Sequence, residues 1–373
     1  MPSIPFVKAE GLGNDFLVVD LRPGRPAAGI LSAADPAVVR ALCDRHFGVG
    51  GDGVLAILPP VQGDARMRII NADGSEAEMC GNGIRCVAKL LYERDPSLHR
   101  PALRIDTGAG LLECRIDARN GRAETVTVEM GRPQLDPPQI PVAAPSGQHL
   151  VRSPLRAGDR QFTFTAVSMG NPHAVIFVDD PAADLRALAE AYGRDIENNS
   201  LFPRRTNVEF ARVRQGSAGT ESRGEPAGLR DGQPTLPTPR AFARALAGGA
   251  PSREAERSER GGGAGGGPKG MGTLPGFPCQ IDVVVWERGC GITLACGTGA
   301  CATVVAACLE GRAAPDQEIP VHLPGGTLFI RVASQPGSAE SPSYAGVSMR
   351  GPARIVFEAE IDPDQIRGAA PAP

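Results

Sequence analysis

With 373 residues, 42% of them hydrophobic, the chain is long enough for two ordinary domains, each with its own core. Its 39 basic and 42 acidic residues leave a formal charge of −3, without blocks of like sign, and only 4% of residues are aromatic, which argues against a nucleic-acid partner. No apolar run approaches the ~18 residues that cross a bilayer, and the first residues lack a charged stretch followed by an apolar one, so a cytoplasmic protein with no membrane partner is expected.

The nine cysteines, at positions 43, 80, 86, 114, 279, 290, 296, 301 and 308, are odd in number and sparse for a disulfide scaffold. There is no Cys-x-x-Cys and no His pair at zinc-ligand spacing, so no metal site is expected and most of the thiols read as small buried hydrophobes.

In chain order, Gly13-Asn14-Asp15 precedes an apolar strand over Phe16 to Val19 and then Asp20. Gly48-Val49-Gly50-Gly51-Asp52-Gly53 matches the dinucleotide fingerprint, but Val54 to Leu58 after it reads as a strand ended by Pro59-Pro60 rather than a helix, which favours a tight structural loop. A strand over Met67 to Ile70 leads to Asn71, and nine residues later stands Cys80-Gly81-Asn82-Gly83; a helix follows over Ile84 to Tyr92. Short alternating strands are predicted over Leu111 to Ile116, Thr125 to Met130, Phe162 to Val167 and Thr327 to Val332, which suggests antiparallel sheet.

The pattern then recurs. Gly170-Asn171-Pro172-His173 precedes a strand over Ala174 to Val178 and then Asp179. A strand over Ile281 to Trp286 leads to Glu287, and nine residues later stands Cys296-Gly297-Thr298-Gly299. Ala300 to Leu309 is apolar nearly all round, so it must be an enclosed helix. Between the copies, from about Gln215 to Pro278, Gly, Pro, Ser, Arg and Glu dominate; this stretch is expected to be a disordered insertion, with Ala241 to Leu246 able to form one helical turn. The repeat predicts two similar α+β domains facing each other, residues 1–131 with about 350–373 and residues 132–349 carrying the insertion 215–278.

Cys80 and Cys296 differ from the other thiols because each stands just before a Gly-x-Gly that opens a helix. Free N–H groups and the dipole at a helix N-terminus stabilise a thiolate, lowering its pKa from ~8.5 toward neutrality, and the same N–H groups can hold a carboxylate. Two thiols on opposite faces of one α-carbon are what inversion of a stereocentre requires: one as base, the other as acid. His173 could polarise a thiol or orient a substrate, or be a histidine satisfied at a turn. Glu287-Arg288 could form a fork for a carboxylate and an amine, or be an exposed pair without a role. Trp286 is expected in the core, and His46, His99, His149 and His322 show no constellation.

Taken together, Gly11-Leu12-Gly13-Asn14-Asp15-Phe16, Asn71-Ala72-Asp73-Gly74-Ser75-Glu76, Cys80-Gly81-Asn82-Gly83, Ser168-Met169-Gly170-Asn171-Pro172-His173, Arg205-Thr206-Asn207, Glu287-Arg288-Gly289 and Ala295-Cys296-Gly297-Thr298-Gly299-Ala300 resemble the diaminopimelate epimerase family. The resemblance runs from about Phe6 to about Glu360, interrupted by the insertion. It implies two pseudo-symmetric, barrel-like sheets, each enclosing a helix, with the C-terminal segment returning to the first. It also implies interconversion of LL- and meso-2,6-diaminopimelate for lysine and peptidoglycan precursors, without pyridoxal phosphate or metal, in a homodimer acting on a small amino-acid substrate. On that resemblance Cys80 and Cys296 are acid and base, and His173 and Glu287 support them. Asn14, Asn71, Asn171, Asn207, Glu287 and Arg288 hold the substrate, and Gly81, Asn82, Gly297 and Thr298 receive its α-carboxylate. This chain departs from the family pattern at Ile292, often Glu, and at Cys290, often a small residue without a thiol. A related cofactor-independent racemase of different substrate is the alternative, although enzymes for proline-type substrates carry His where this chain has Asn82. A non-catalytic amino-acid binder with a redox clasp of two thiols is the reading from another class.

Overall fold

A two-residue turn, Leu12-Gly13, joins strands β1 (Ile4–Gly11) and β2 (Asn14–Asp20). Both turn residues are left-handed, with φ of 59° and 83°, the geometry that matches the twist of a tight hairpin. In the computed structural model, residues 3–30, 34–215, 274, 276–335 and 343–367 are described. Helix α1 (Pro36–Cys43), capped by Asp35 with a proline in its first turn, then carries the chain over to β3 (Gly53–Leu58), parallel to β2. The glycine-rich segment before β3 opens no helix, so the dinucleotide reading fails on its structural requirement.

β4 (Ala65–Asn71) and the short β5 (Glu76–Ala77) form a hairpin, and helix α2 (Gly81–Arg94) follows. β6 (Ala102–Thr107) returns parallel to β4, and β7 (Gly110–Arg119) and β8 (Arg122–Glu129) complete a meander. The same order is then laid down again. β9 (Ser153–Ala157) pairs β10 (Arg160–Ser168), which pairs β11 (Pro172–Phe177). Helix α3 (Leu185–Glu197) crosses over to β12 (Asn207–Gln215), parallel to β11. β13 (Cys279–Glu287) and β14 (Gly291–Ile292) form a hairpin, helix α4 (Gly297–Leu309) follows, and β15 (Glu318–Leu323), β16 (Gly326–Ser334) and β17 (Tyr344–Pro352) close the second meander.

Strand β8 pairs β17, its own counterpart, and the last strand, β18 (Arg354–Ile361), pairs β1 just as β9 pairs β10. The first half is thus completed by the end of the chain, after which comes a short helix α5 (Pro363–Arg367). Among the described residues all eighteen strands join one sheet, mostly antiparallel, with four parallel pairs at the crossovers. The architecture is α+β.

The halves meet in the largest core. Ile84, Val87, Ala88 and Leu91 of α2 and Ala300, Cys301, Val304 and Val305 of α4 are buried there together. Each of the Ile, Val and Leu side chains among them contributes about 1.5–3 kcal/mol on leaving water, and the alanines less. α4 lacks a polar face because sheet surrounds it, and Gly297 and the run Gly299 to Ala307 are all buried. Two smaller cores lie under the crossovers, one beneath α1 and one beneath α3. Trp286 is half-buried rather than in the core proper: it lies against Gly193 of α3, and its Nε1 donates to Glu197 Oε2 at 2.8 Å. The predicted helical turn at Ala241 to Leu246, with most of the insertion, lies outside the described residues.

Candidate active site

Cys80 and Cys296 are the N-caps of the two enclosed helices. Each has extended backbone, and each sulfur accepts the third helical N–H, from Gly83 and Gly299, at 3.3 Å. That leaves the N–H groups of the first two residues of each helix, Gly81 and Asn82 or Gly297 and Thr298, without a carbonyl partner in the helix. The first turns touch. Asn82 Nδ2 donates to Ala295 O at 3.0 Å, and Met349 of β17 lies between the halves, so close that a Cβ at Gly81 would sit 2.7 Å from its Cε and one at Gly297 3.0 Å from its Sδ.

On the Cys80 side, Asn14 gives its Nδ2 to Asp52 Oδ2 at 2.6 Å, which turns Oδ1 toward Cys80 Sγ at 3.7 Å and Asn82 Nδ2 at 3.5 Å. Asp52 is itself held by Arg45 at 2.8 Å. Arg85, fully buried, donates to Gly81 O, Asn82 Oδ1 and Pro352 O at 3.0, 3.0 and 3.1 Å, fixing the amide that bridges the helices.

On the Cys296 side, Thr298 Oγ1 lies 3.5 Å from Cys296 Sγ and accepts Asn171 Nδ2 at 3.2 Å. Asn171 Oδ1 faces His173 Nε2 at 3.0 Å, and His173 Nδ1 faces Glu209 Oε1 at 2.7 Å. Glu287, at the end of β13, accepts Thr293 Oγ1 at 2.6 Å, and its charge bears on both thiols. His173 is therefore built into the Cys296 side and is not a surface turn residue.

Asn71 and Arg288 stand apart from this cluster in their contacts, whereas Asn207 Nδ2 donates to Pro172 O, between Asn171 and His173, at 3.0 Å. Asn71 donates to Ser75 Oγ within its own loop at 3.0 Å. Asn207 is buried and accepts the Arg288 backbone N–H at 2.9 Å, while the exposed Arg288 guanidinium donates to Arg204 O at 3.0 Å. Cys290 is exposed in the turn after β13, its N–H donating to Glu287 O at 3.0 Å.

The expectation of thiols lowered toward neutrality is corrected. Burial pushes both upward, and the helix N–H groups offset only part of the rise. Cys296 is raised well above the ordinary thiol range, by burial first and then by Glu287 and Glu209. Burial also raises the carboxyls of Glu287 and Glu209. Desolvation outweighs a few N–H groups when water is excluded from around the sulfur.

Sequence reasoning missed Glu209, Arg85 and Asp52. For Glu209 a signal was present: one acidic residue in the apolar run Val208-Glu209-Phe210-Ala211 of strand β12 is a buried charge in need of a partner. Arg85 inside a helix gives no comparable sign, since arginine is a good helix former and normally faces water.

Comparison with known proteins agrees with this arrangement. A family model described as diaminopimelate epimerase matches residues 6–135 and 275–356, spanning both cysteines and both enclosed helices. The chain is 38% identical over 362 residues to a diaminopimelate epimerase of Desulfitobacterium hafniense, covering 96% of this chain and 99% of that protein. It is 40% identical over 357 residues to one of Desulforudis audaxviator, covering 95% and 97%. Among solved structures, a hydroxyproline epimerase from Agrobacterium vitis superposes with a TM-score of 0.57 at 13% identity, covering 97% of this chain and 91% of that one. A probable proline racemase from Agrobacterium radiobacter gives 0.56 at 14% identity, covering 96% and 93%, and these two share the fold. With a duplicated strand order, paired cysteine caps and near-full-length relatives in agreement, the chain belongs to the diaminopimelate epimerase family.

Proposed function

We propose that this protein interconverts LL- and meso-2,6-diaminopimelate by passing protons between one α-carbon and the thiols of Cys80 and Cys296. The observation that carries this reading is the pair of cysteine-capped helices whose first turns meet through Asn82 and Ala295. One sulfur, as thiolate, takes the α-hydrogen and becomes a thiol; the other gives its proton to the opposite face and becomes a thiolate. No atom is lost or gained, and the reverse reaction exchanges the two roles.

The carbanion is stabilised by its own α-carboxylate, held by the N–H groups of Gly81, Asn82, Gly297 and Thr298, where helix dipoles favour negative charge. Glu287 and His173 support the thiols, and Asn14, Asn71, Asn171, Asn207, Glu287 and Arg288 hold the substrate's polar ends. Residues 1–131 with 350–373, and residues 132–349, serve as the two halves. The enzyme works as a homodimer in the cytoplasm, supplying lysine and peptidoglycan precursors; among the described residues no helix is long and apolar enough to cross a membrane.

The test is turnover of LL-diaminopimelate in deuterated water under reducing conditions, with no cofactor added. Product should carry deuterium at the inverted centre from the first turnover while recovered substrate stays largely unlabelled. Early product retaining the substrate's hydrogen, or full activity in Cys80→Ala or Cys296→Ala, would sink the two-thiol reading.

A further inference from the structure

The repeated architecture allows the surroundings of the two thiols to be compared position by position. In the first half Phe16 of β2 pairs Gly53 of β3; in the second, His173 of β11 pairs Asn207 of β12. Two residues further along, Leu55 is the counterpart of Glu209. A Cβ at Gly83 would meet Leu55 Cδ2 at 3.0 Å, and a Cβ at Gly299 would meet Glu209 Oε1 at 2.8 Å. In the Cys80 half these two positions are thus held by Phe16 and Leu55, and in the Cys296 half by His173 and Glu209, the latter two without solvent exposure.

This difference reverses the direction of hydrogen bonding at the thiols. Asp52 takes the Asn14 amide N–H, so the amide oxygen faces Cys80 and accepts from its S–H. His173 faces the Asn171 oxygen, so the Asn171 N–H is given to Thr298 Oγ1, and the threonine hydroxyl hydrogen is left for Cys296 Sγ. The second arrangement requires His173 to carry its hydrogen on Nε2. In the neutral imidazole Nδ1 is then an acceptor, and Glu209 Oε1 stands opposite it at 2.7 Å. The other oxygen, Glu209 Oε2, is buried with no hydrogen-bond partner among the described residues. That position suits the carbonyl of a neutral acid, whereas a carboxylate would need a charged imidazole beside it and would still leave Oε2 without a donor in a place closed to water.

We propose that Glu209 is a positioning residue which, as a neutral carboxylic acid donating to His173 Nδ1, fixes the chain His173–Asn171–Thr298 so that Cys296 alone of the two thiols receives a side-chain donor. The inference rests on the epimerase reading above. The ionisable groups bearing on Cys296 are Glu287 from β13 and Glu209 from β12, with His173 of β11 behind the latter. Burial raises the Glu209 carboxyl, as a neutral acid requires. An ionised Glu209 would push Cys296 further from the thiolate, whereas the neutral acid directs a donor to it. The two sulfurs are then prepared unequally: Cys296 has a side-chain donor that offsets part of the rise imposed on it by burial, and Cys80 has none.

The experiment compares wild type with Glu209→Leu, which imports the residue of the other half, and Glu209→Gln, whose amide can still donate to Nδ1. Glu209→Leu should lower kcat about ten-fold or more with little change in KM, the order expected when the Cys296 thiolate loses the hydrogen bond from Thr298. In mildly alkaline buffer without substrate it should slow alkylation of Cys296, read by peptide mass, and leave Cys80 unaffected. Glu209→Gln should recover most of both losses. Wild type at neutral pH should show the infrared carbonyl stretch of a protonated carboxyl that Glu209→Gln lacks. Absence of that band, Gln as impaired as Leu, Leu as active as wild type, or equal slowing of both thiols would each overturn the proposal. If Glu209→Leu does not fold by circular dichroism, the infrared band and the Gln variant still decide. A wild type inactive on LL-diaminopimelate overturns the epimerase reading instead, and the thiol and infrared measurements remain interpretable.

Discussion

At a buried helix N-terminus a thiol is pulled two ways: backbone N–H groups favour the thiolate, and the loss of water favours the thiol. Here the loss of water prevails at both cysteines, and the carboxyl of Glu287 adds to it. Since the reacting base is a thiolate, raising the pH increases its fraction in the free enzyme. The acid limb of kcat/KM should therefore fall at or above ~8.5, the ordinary thiol value, with activity still rising through mildly alkaline pH. A limb near neutrality would show that the N–H groups prevail. The cysteines themselves were legible, because Cys-Gly-x-Gly before a helix is a local pattern. Glu209 and Arg85 were not, because what makes each matter is a partner that folding brings from elsewhere in the chain, the His173 imidazole in one case and Pro352 O in the other.

The element that repeats is a unit of strand, short hairpin, nine-residue approach, cysteine and enclosed helix. Its equal spacing in both copies was readable because each approach must reverse the chain and deliver a sulfur to the same place. The hairpin strands β5 and β14, two residues each, fell below what alternation can reveal. Trp286, expected in the core, packs at its margin with its indole N–H on the buried Glu197, a partner that apolar composition does not disclose. The insertion interrupts a hairpin: β12 and β13 are antiparallel neighbours whose ends, Gln215 and Cys279, face each other. Such strands are normally joined by 2–5 residues. Leu274 exchanges two backbone hydrogen bonds with the Gln280 side chain, at 3.0 and 2.7 Å, so the replaceable stretch ends before it. Substituting a short Gly-Ser linker for residues 216–273 should leave the circular dichroism spectrum and turnover near those of the full chain. Collapse of either would make that stretch part of the working structure.

Across the molecule, two copies of one strand order are joined where β8 pairs β17 and locked where β18 pairs β1. The duplication was visible in the sequence. The exchange of the last strand rested on family resemblance, since pairing between the two ends of a chain leaves no local trace. That exchange has a consequence during synthesis. Of the described strands, β1 leaves the ribosome ahead of all the others, and β18, which covers its outer edge, leaves after them. Until Arg354–Ile361 emerges, the backbone N–H and C=O groups on that side of Ile4–Gly11 are open to any other extended chain. A chain ending before Arg354 should accumulate as aggregate or remain bound to chaperones, whereas the full chain is released; soluble, active protein from the shortened chain would refute this. The nascent protein must therefore hold its first half unfinished, and exposed to mispairing, until the whole second half has been made.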